Sequence, residues 1–426
     1  MGIVVYRDAT IFDGTGAAPV GGRSLVVDDD RLTQVVATDQ LVVPDGAEVV
    51  ELVERFVIPG LIDSHQHLAT PPDRVQAEAW LRRMVYGGVT AIRDMADDLR
   101  QIADLTRACL VGEIPGPDIH YAALVAGPSF FDDPRTWQVS QGETPGTVPW
   151  MQAITDETDL VIATALARGT HASALKIYAD LSPELVAAVT AEAHRQGVPA
   201  WAHLSVFPAL PIDVVRAGVD VVSHVTMLAW QTQTQTQAEA APTYKSKTPI
   251  DPATIDPDDP RIGEVLEAML ERGTILDATG SMWESGEVLD GADAAGVARA
   301  QGNAELSAAL TARAFAAGVP ISAGSDYVTA ADDPFPALHR ELYFLHERCG
   351  MPAADVLRSA TQIGARAAGA EDDLGTLEPG KLASFVVLDR DPVADLRNLA
   401  SVWCTVKRGV RHQRGDFVGP ENLEQR

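Results

Sequence analysis

The chain alternates between short apolar segments and longer amphipathic segments over most of its length. Eight apolar segments have the length of strands: 57–65, 89–93, 119–125, 173–178, 198–203, 219–224, 274–278 and 319–324. Alanine-rich helical segments lie between most of them, including 183–196, 261–272, 303–317 and 353–369. This alternation predicts an α/β protein. Eight βα units favour a TIM-type (β/α)8 barrel, although the count alone also fits a doubly wound sheet.

Both ends of the chain have a different pattern, in which β-branched runs are separated by glycine and proline. Such runs occupy 4–6, 24–27, 32–36 and 48–52 near one end, and 380–389 and 402–407 near the other. A four-stranded meander is marginal alone, so we expect the two ends to pair. The predicted architecture is a barrel domain, 57–371, and a small β-sandwich domain built from 1–56 and 372–426.

Composition narrows the classes of function. The 426 residues are 46% hydrophobic and carry a net charge of −27, which argues against binding to nucleic acid. No apolar run approaches the roughly 18 residues of a membrane span, and no basic leader precedes the first strand. The three cysteines lack the spacing of a disulfide framework or a thiolate zinc site. We expect a cytoplasmic protein.

The strongest chemical signal is the pair His65 and His67 at the end of the first predicted barrel strand. Alternate residues of a strand point to the same face, so the two imidazoles project together. Two neutral imidazoles on one face form half of a divalent-metal site. A bare His-x-His is also compatible with a partly exposed strand.

Other potential ligands close other predicted strands. Lys176 lies in the fourth strand, His203 and His224 end the fifth and sixth, and Asp326 follows the eighth. Strand ends meet at one face of a barrel, so these residues predict one metal centre. The remaining six histidines have no such placement.

Lys176 lies between Leu175 and Ile177, where a charged amine is costly to bury. A neutral amine between two cations can add carbon dioxide and become an anionic bridging carbamate. The alternative is a lysine that forms a salt bridge at the barrel rim.

The chain resembles the amidohydrolase superfamily, and within it the imidazolonepropionase and prolidase-like (Xaa-Pro dipeptidase-like) branch. The resemblance rests on Pro59–His67, the Leu-Lys-Ile strand, the two later histidines, the Ala-Gly-Ser-Asp end and the tail 374–383. It implies a (β/α)8 barrel with two divalent metal ions, zinc above all. His65, His67 and Asp326 would hold one ion, His203 and His224 the other, and carboxylated Lys176 would bridge them.

The implied activity is hydrolysis of a C–N amide bond in a small N-acyl amino acid or dipeptide-like substrate by a metal-bridging hydroxide. Asp326 would transfer the proton from water to the leaving nitrogen. Tyr178 is either a catalytic and substrate contact or a packed barrel residue. Phe130, Phe131 and Trp230 are candidate substrate contacts.

Alternatives stay open at this point. A cyclic amide, a lactone or an organophosphate could be hydrolysed on the same binuclear centre, and a non-enzymatic scaffold would keep the fold without the ligands. The long loops 126–152 and 228–260 follow strands and predict a lid, while the polar composition of 231–260 also fits a disordered insertion. A homo-oligomer is the expected assembly.

Overall fold

Eight parallel strands form the barrel of this computed structural model, which describes residues 2–70, 72–233, 243–245, 250–330 and 332–419. Each strand pairs in parallel with the next along the chain. Strand one approaches strand eight where Ser64 N donates to Ala323 O at 2.8 Å. The predicted barrel is confirmed. Barrel strands one to eight are Leu61–Gln66, Val89–Asp94, Asp118–Ala126, Ala174–Ile177, Ala200–His203, Val221–Ser223, Ile275–Asp277 and Ile321–Ser322.

The helices pack outside the barrel or form part of its loops. Aspartate side chains cap several of them by accepting from first-turn backbone N–H groups. The predicted helix 353–369 is two helices, because Thr361 leaves helical geometry with φ −128° and ψ −92°. The helices are Arg74–Tyr86, Leu99–Leu110, Pro134–Gln138, Leu160–Gly169, Pro183–Arg195, Pro211–Arg216, Pro260–Arg272, Gly286–Leu289, Ala294–Ala317, Leu338–Glu347, Ala353–Ser359 and Gln362–Ala368.

A second, mixed sheet combines strands from both ends of the chain, as predicted. It encloses its own apolar core, which includes Leu25, Leu32, Phe385 and Val406. The division at residues 56 and 372 stays a prediction. The strands of this terminal sheet are Val4–Ile11, Val20–Asp28, Arg31–Ala37, Glu48–Glu51, Phe56–Pro59, Phe385–Leu388, Val402–Lys407 and Val410–Gln413.

The predicted strand 57–65 is wrong as a single strand. Phe56–Pro59 pairs antiparallel with Phe385–Leu388 in the terminal sheet, whereas Leu61–Gln66 pairs with barrel strand two. The apolar run is continuous in sequence, but its two halves belong to different sheets. The chain therefore passes directly from one sheet to the other at Gly60.

A buried ion cluster joins the terminal sheet to the barrel. Asp118, at the start of barrel strand three, lies 2.8 Å from Lys407 Nζ and 2.8 Å from Arg408 Nε. Lys407 Nζ also donates to the carbonyl of Cys109 at 3.0 Å. In the described part of the chain, no helix has the length and apolar character needed to cross a membrane.

Candidate metal centre

Six side chains from five barrel strands or the loops that follow them form the candidate centre. His65 is 1% exposed and Lys176 is fully buried, so both leave water almost completely. The six predicted ligands come from strand one and the residue after it, strand four, strand five, the residue after strand six and the loop after strand eight: His65, His67, Lys176, His203, His224 and Asp326. The candidate metal ligands therefore lie at the carboxyl ends of the barrel strands.

Asp326 lies among three of the histidines. Its Oδ1 is 3.4 Å from His65 Nε2 and 3.7 Å from His67 Nε2, and its Oδ2 is 3.6 Å from His224 Nδ1. Donor atoms of His65, His224 and Asp326 all lie within 4.8 Å of one another. The ring centroid of His203 is 4.9 Å from that of His224. These five side chains form one continuous cluster.

Two buried carboxylates orient the histidines of strand one. Asp277 Oδ2 lies 2.7 Å from His65 Nδ1, and Asp97 Oδ1 lies 3.4 Å from His67 Nδ1. Each contact leaves the other ring nitrogen, Nε2, facing Asp326. A carboxylate behind a histidine ligand fixes the tautomer and orientation that metal binding requires.

Sequence reasoning missed Asp97 and Asp277. Asp277 ends barrel strand seven. This position at a strand end is the same sequence signal that identified the histidines as ligands. Asp97 follows strand two, where it also accepts from Ala69 N at 2.7 Å. Both side chains are almost fully buried, and this burial is invisible in sequence.

Lys176 has the environment of an amine that readily loses its proton. Burial, reinforced by the positive charge of Arg93, lowers the pKa of Lys176 to about 7. Its Nζ lies 3.4 Å from Ser223 Oγ, which donates to Asp277 Oδ2 at 2.9 Å. Arg93 packs over the Trp201 ring at 4.4 Å and is fully buried.

The donor set fits a divalent cation. Two ligand atoms that each lie about 2.1 Å from a tetrahedral zinc ion are about 3.4 Å apart, close to the separations around Asp326. Burial lowers the pKa of His65 and of His224 well below the ordinary range, so both rings are neutral and offer a lone pair. For His67 burial acts in the same direction, but the hydrogen bond to Asp97 leaves its pKa raised. A proton therefore competes with a cation for this ring.

Comparison with known proteins agrees with this geometry. The profile of the Amidohydrolase family matches residues 56–411, which is most of the chain. The chain belongs to the amidohydrolase family. The predicted superfamily is thereby confirmed.

Solved structures share the fold of this amidohydrolase chain. It resembles a Xaa-Pro dipeptidase with bound methionine, at TM-score 0.74 and 21% identity over 97% of this chain and 100% of the other. It also resembles the ochratoxinase of A. niger, at TM-score 0.74 and 20% identity over 100% and 98%. At these identities the likeness shows the shared fold.

Curated sequences give a shorter match. An uncharacterized protein of Mycobacterium tuberculosis (strain ATCC 25618 / H37Rv) is 37% identical over 89 residues. That segment covers 21% of this chain and 14% of the relative, so the chain matches only a small part of it.

A cavity of about 430 Å³ opens onto the candidate centre. His67, His203, His224 and Asp326 line it, and an aromatic wall of Phe130, Tyr178 and Tyr244 faces them. The rings of Tyr178 and His203 are 4.0 Å apart, and those of Phe130 and Tyr178 are 4.7 Å apart. Tyr178 and Phe130 line the cavity, and their role as substrate contacts stays a prediction.

Phe131 and Trp230 are not among the described residues that line this cavity, and their role as substrate contacts stays a prediction. The Phe131 ring is buried against Phe130, with centroids 5.7 Å apart. The Trp230 ring packs edge-on against Phe207, with centroids 4.8 Å apart. Both rings pack against other aromatic residues of the loops.

The two long loops meet at Asp180, which sequence reasoning also missed. Its carboxylate accepts from Ser129 Oγ at 2.7 Å and from the backbone N of Tyr244 at 2.6 Å. Gly127 packs so closely on the Asp180 carbonyl that a Cβ would overlap it. Much of the predicted loop 228–260, namely 234–242 and 246–249, lies outside the described residues, so the lid hypothesis for it stays a prediction.

Proposed function

We propose that the chain is a metal-dependent hydrolase that cleaves the C–N amide bond of a small N-acyl amino acid or dipeptide-like substrate. The observation that carries this proposal is the convergence of three histidines on Asp326 at the carboxyl ends of the barrel strands. The adjoining cavity, about 430 Å³ in volume, has the size and mixed apolar and polar lining of a small-molecule site.

The proposed cofactor is a pair of zinc ions. His65, His67 and Asp326 would hold one ion, and His203 and His224 the other, with carboxylated Lys176 between them. Bound cations would lower the pKa of a water molecule and polarise the carbonyl of the amide.

The burial of Lys176 supports the proposed carboxylation. At neutral pH a substantial fraction of the amine is unprotonated, since its pKa is lowered to about 7. The nitrogen lone pair attacks carbon dioxide to form an N–C bond, a proton leaves, and the product is an anionic N-carboxylate. The carboxylated side chain is an anion and can bind a cation together with the neutral histidines, whereas the ammonium form would repel the cation.

Asp326 moves the proton. Its carboxylate accepts a proton from the attacking water and donates it to the departing nitrogen, which leaves poorly as an anion. Burial raises the pKa of Asp326 to about 7, against the opposing effect of His67, so the carboxyl can exist in both forms near neutral pH. Burial also raises the pKa of Tyr178, which keeps its hydroxyl protonated and able to donate to the substrate oxygen.

Metal analysis and a substrate panel test the proposal. Protein purified without chelator should contain about two metal ions per chain, and Lys176→Ala should contain fewer. Release of free amine from N-acyl amino acids and dipeptides should exceed hydrolysis of cyclic amides, lactones and organophosphates. No bound metal after repletion, or no turnover across the amides, would contradict the proposal.

Asp326→Asn separates proton transfer from metal binding. The amide keeps an oxygen ligand but cannot accept the proton, so we expect kcat to fall at least about 100-fold. Metal content, measured by elemental analysis on the same preparation, should fall much less. A variant that turned over near the wild-type rate would exclude this role for Asp326.

A further inference from the structure

Arg135 is the one lysine or arginine among the described residues that line the cavity. It lies in the short helix Pro134–Gln138, within the loop that carries Phe130. Its side chain is 53% exposed, and the cavity accounts for part of this exposure. A cation at this position needs an explanation, because the proposed chemistry at the metal centre does not use it.

The helix-start role of Arg135 does not explain its position. Asp133 accepts from the backbone N, Nε and Nη2 of Arg135 at 2.9, 3.2 and 3.1 Å. The same three contacts recur between Asp98 and Arg100 and between Asp259 and Arg261, both at helix starts. Of these three arginines, Arg135 is the one that lines the cavity.

The surroundings of Arg135 connect it to the centre through the aromatic wall. The hydrogen bond with Asp133 raises the pKa of Arg135, so its charge is permanent. Tyr178 contacts the His203 ring at 4.0 Å. Arg135, Tyr178 and His203 therefore line the same cavity.

The guanidinium also keeps bonding capacity. Asp133 engages Nε and Nη2, and among the described residues no hydrogen bond reaches Nη1. Arginine is well suited to carboxylates, since its planar fork offers several donors in fixed geometry. The cavity's acidic side chains, Glu287 and Asp326, belong to the loops after strands seven and eight, so the cavity carries opposite charges on different elements.

On the basis of the proposed amide hydrolysis, we propose that Arg135 binds a carboxylate of the substrate next to the aromatic wall. The substrate class is then an N-acyl amino acid, or a dipeptide with a free carboxyl end, whose side chain is apolar or aromatic. A neutral amide of the same shape would be a poor substrate. Arg135 is a specificity-determining residue in this scheme.

A binding experiment tests this without turnover. The probes are 3-phenylpropanoate and the neutral 3-phenylpropan-1-ol, titrated calorimetrically into metal-containing wild type, Arg135→Met, Arg135→Lys and the matched control Arg261→Met. We expect Arg135→Met to weaken binding of the acid at least tenfold and to leave the alcohol unchanged. Arg135→Lys should recover part of the loss, and Arg261→Met should behave as wild type.

Several outcomes would overturn the inference. They are no binding of the acid to wild type, equal weakening of acid and alcohol in Arg135→Met, or no weakening at all. A carboxylate bound to metal alone would lose affinity after chelator treatment and would not respond to Arg135→Met, which also overturns it. Matching thermal unfolding midpoints ensure that the variants are folded.

Turnover separates this inference from the proposed function. N-acetyl-L-phenylalanine and N-acetyl-2-phenylethylamine differ only by the carboxylate. Wild type should favour the acid, and Arg135→Met should remove that preference through KM more than kcat. Equal hydrolysis of both by wild type would overturn the carboxylate site and leave the hydrolase standing. If probe binding depended on Arg135 but no amide were hydrolysed, the carboxylate site would stand and the proposed hydrolase activity would be overturned.

Discussion

At the residue scale, the candidate centre depends on close packing behind its ligands. Gly324 has no side chain, and a Cβ there would overlap Asp277 and come within 2.7 Å of the His65 Cβ. The space beside Gly324 is filled by His65 and by Asp277, the carboxylate that orients the His65 ring.

Gly324→Ala should therefore disturb metal binding. The added methyl must push Asp277 away from His65, and loss of such an orienting contact typically costs about 10–100-fold in metal affinity. Competition with a chromophoric chelator measures the change. Gly169→Ala, where a Cβ meets open space at a helix end, is the matched control. Equal affinity in both variants would show that the pair has room to adjust.

The residues of the centre were predictable to different degrees. His65, His203 and His224 could be found because parallel strand ends converge, so position along the chain reports position in space. Asp277 ends a barrel strand and so carries the same positional signal as the histidines, whereas Asp97 lies in a loop and could not be told apart from the many surface carboxylates of a chain with charge −27. Arg135 and Tyr244 depend on loop folding, which follows long-range contacts that no local pattern encodes.

At the element scale, Asp180 holds the loop of Phe130 and the segment of Tyr244 together over the centre. Asp180→Ala removes both hydrogen bonds, so the aromatic wall loses its anchor. We expect KM to rise about tenfold with a smaller change in kcat, because no group at the reacting atoms is altered. Steady-state kinetics on an N-acyl amino acid measures this.

Ser129→Ala provides the graded control for Asp180, because it removes one of the two hydrogen bonds. Its effect on KM should be intermediate. A larger effect for Ser129→Ala than for Asp180→Ala would contradict the anchoring role.

The buried Glu341 fixes another loop at the cavity. From helix Leu338–Glu347 its carboxylate accepts from Gly280 N at 3.1 Å and from Ser281 N at 2.7 Å, next to the cavity residues Met282 and Trp283. Burial raises the pKa of Glu341 from 4.5 to about 7. The folded state thus favours the protonated form, so stability falls as pH rises from about 5 through 7.

Glu341→Gln cannot lose a proton and should escape this fall. Relative to wild type, the variant should gain up to about 3 kcal/mol in free energy of unfolding between pH 5 and pH 8. Chemical denaturation at the two pH values checks the difference, since other titrating groups are common to both proteins. A pH-independent difference would show that Glu341 does not titrate in this range.

The first barrel strand shows a limit of prediction from sequence patterns. The run Phe56–Ile62 is apolar throughout, so the sequence pattern predicts one strand, 57–65. Its division between two sheets depends on Phe385–Leu388 on one side and Val89–Asp94 on the other. Those partner strands cannot be identified until the topology of both sheets is known.

At the scale of the whole molecule, the Asp118 cluster connects the terminal sheet to the amino-terminal end of barrel strand three, away from the ligands. Removing one partner of a buried ion cluster costs about 3 kcal/mol, because the remaining charges are left uncompensated. Asp118→Asn should lower the thermal unfolding midpoint by several degrees. Metal content per folded chain should not change.

The control for Asp118 is the exposed pair of Arg55 and Asp389, which are 3.0 Å apart and solvated. Asp389→Asn should cost less than about 1 kcal/mol. Calorimetry on both variants compares them directly. Similar losses would mean that burial of the Asp118 cluster contributes nothing.

The pairing of Phe56–Pro59 with Phe385–Leu388 has a consequence for synthesis. At about 5–20 residues per second, a ribosome needs on the order of half a minute to make the chain between these two strands. During that time the early strands can pair with one another, but the edge of Phe56–Pro59 that later receives Phe385–Leu388 stays open. The barrel can close first, so a nascent chain has to protect this edge from other strands until its own last segment emerges.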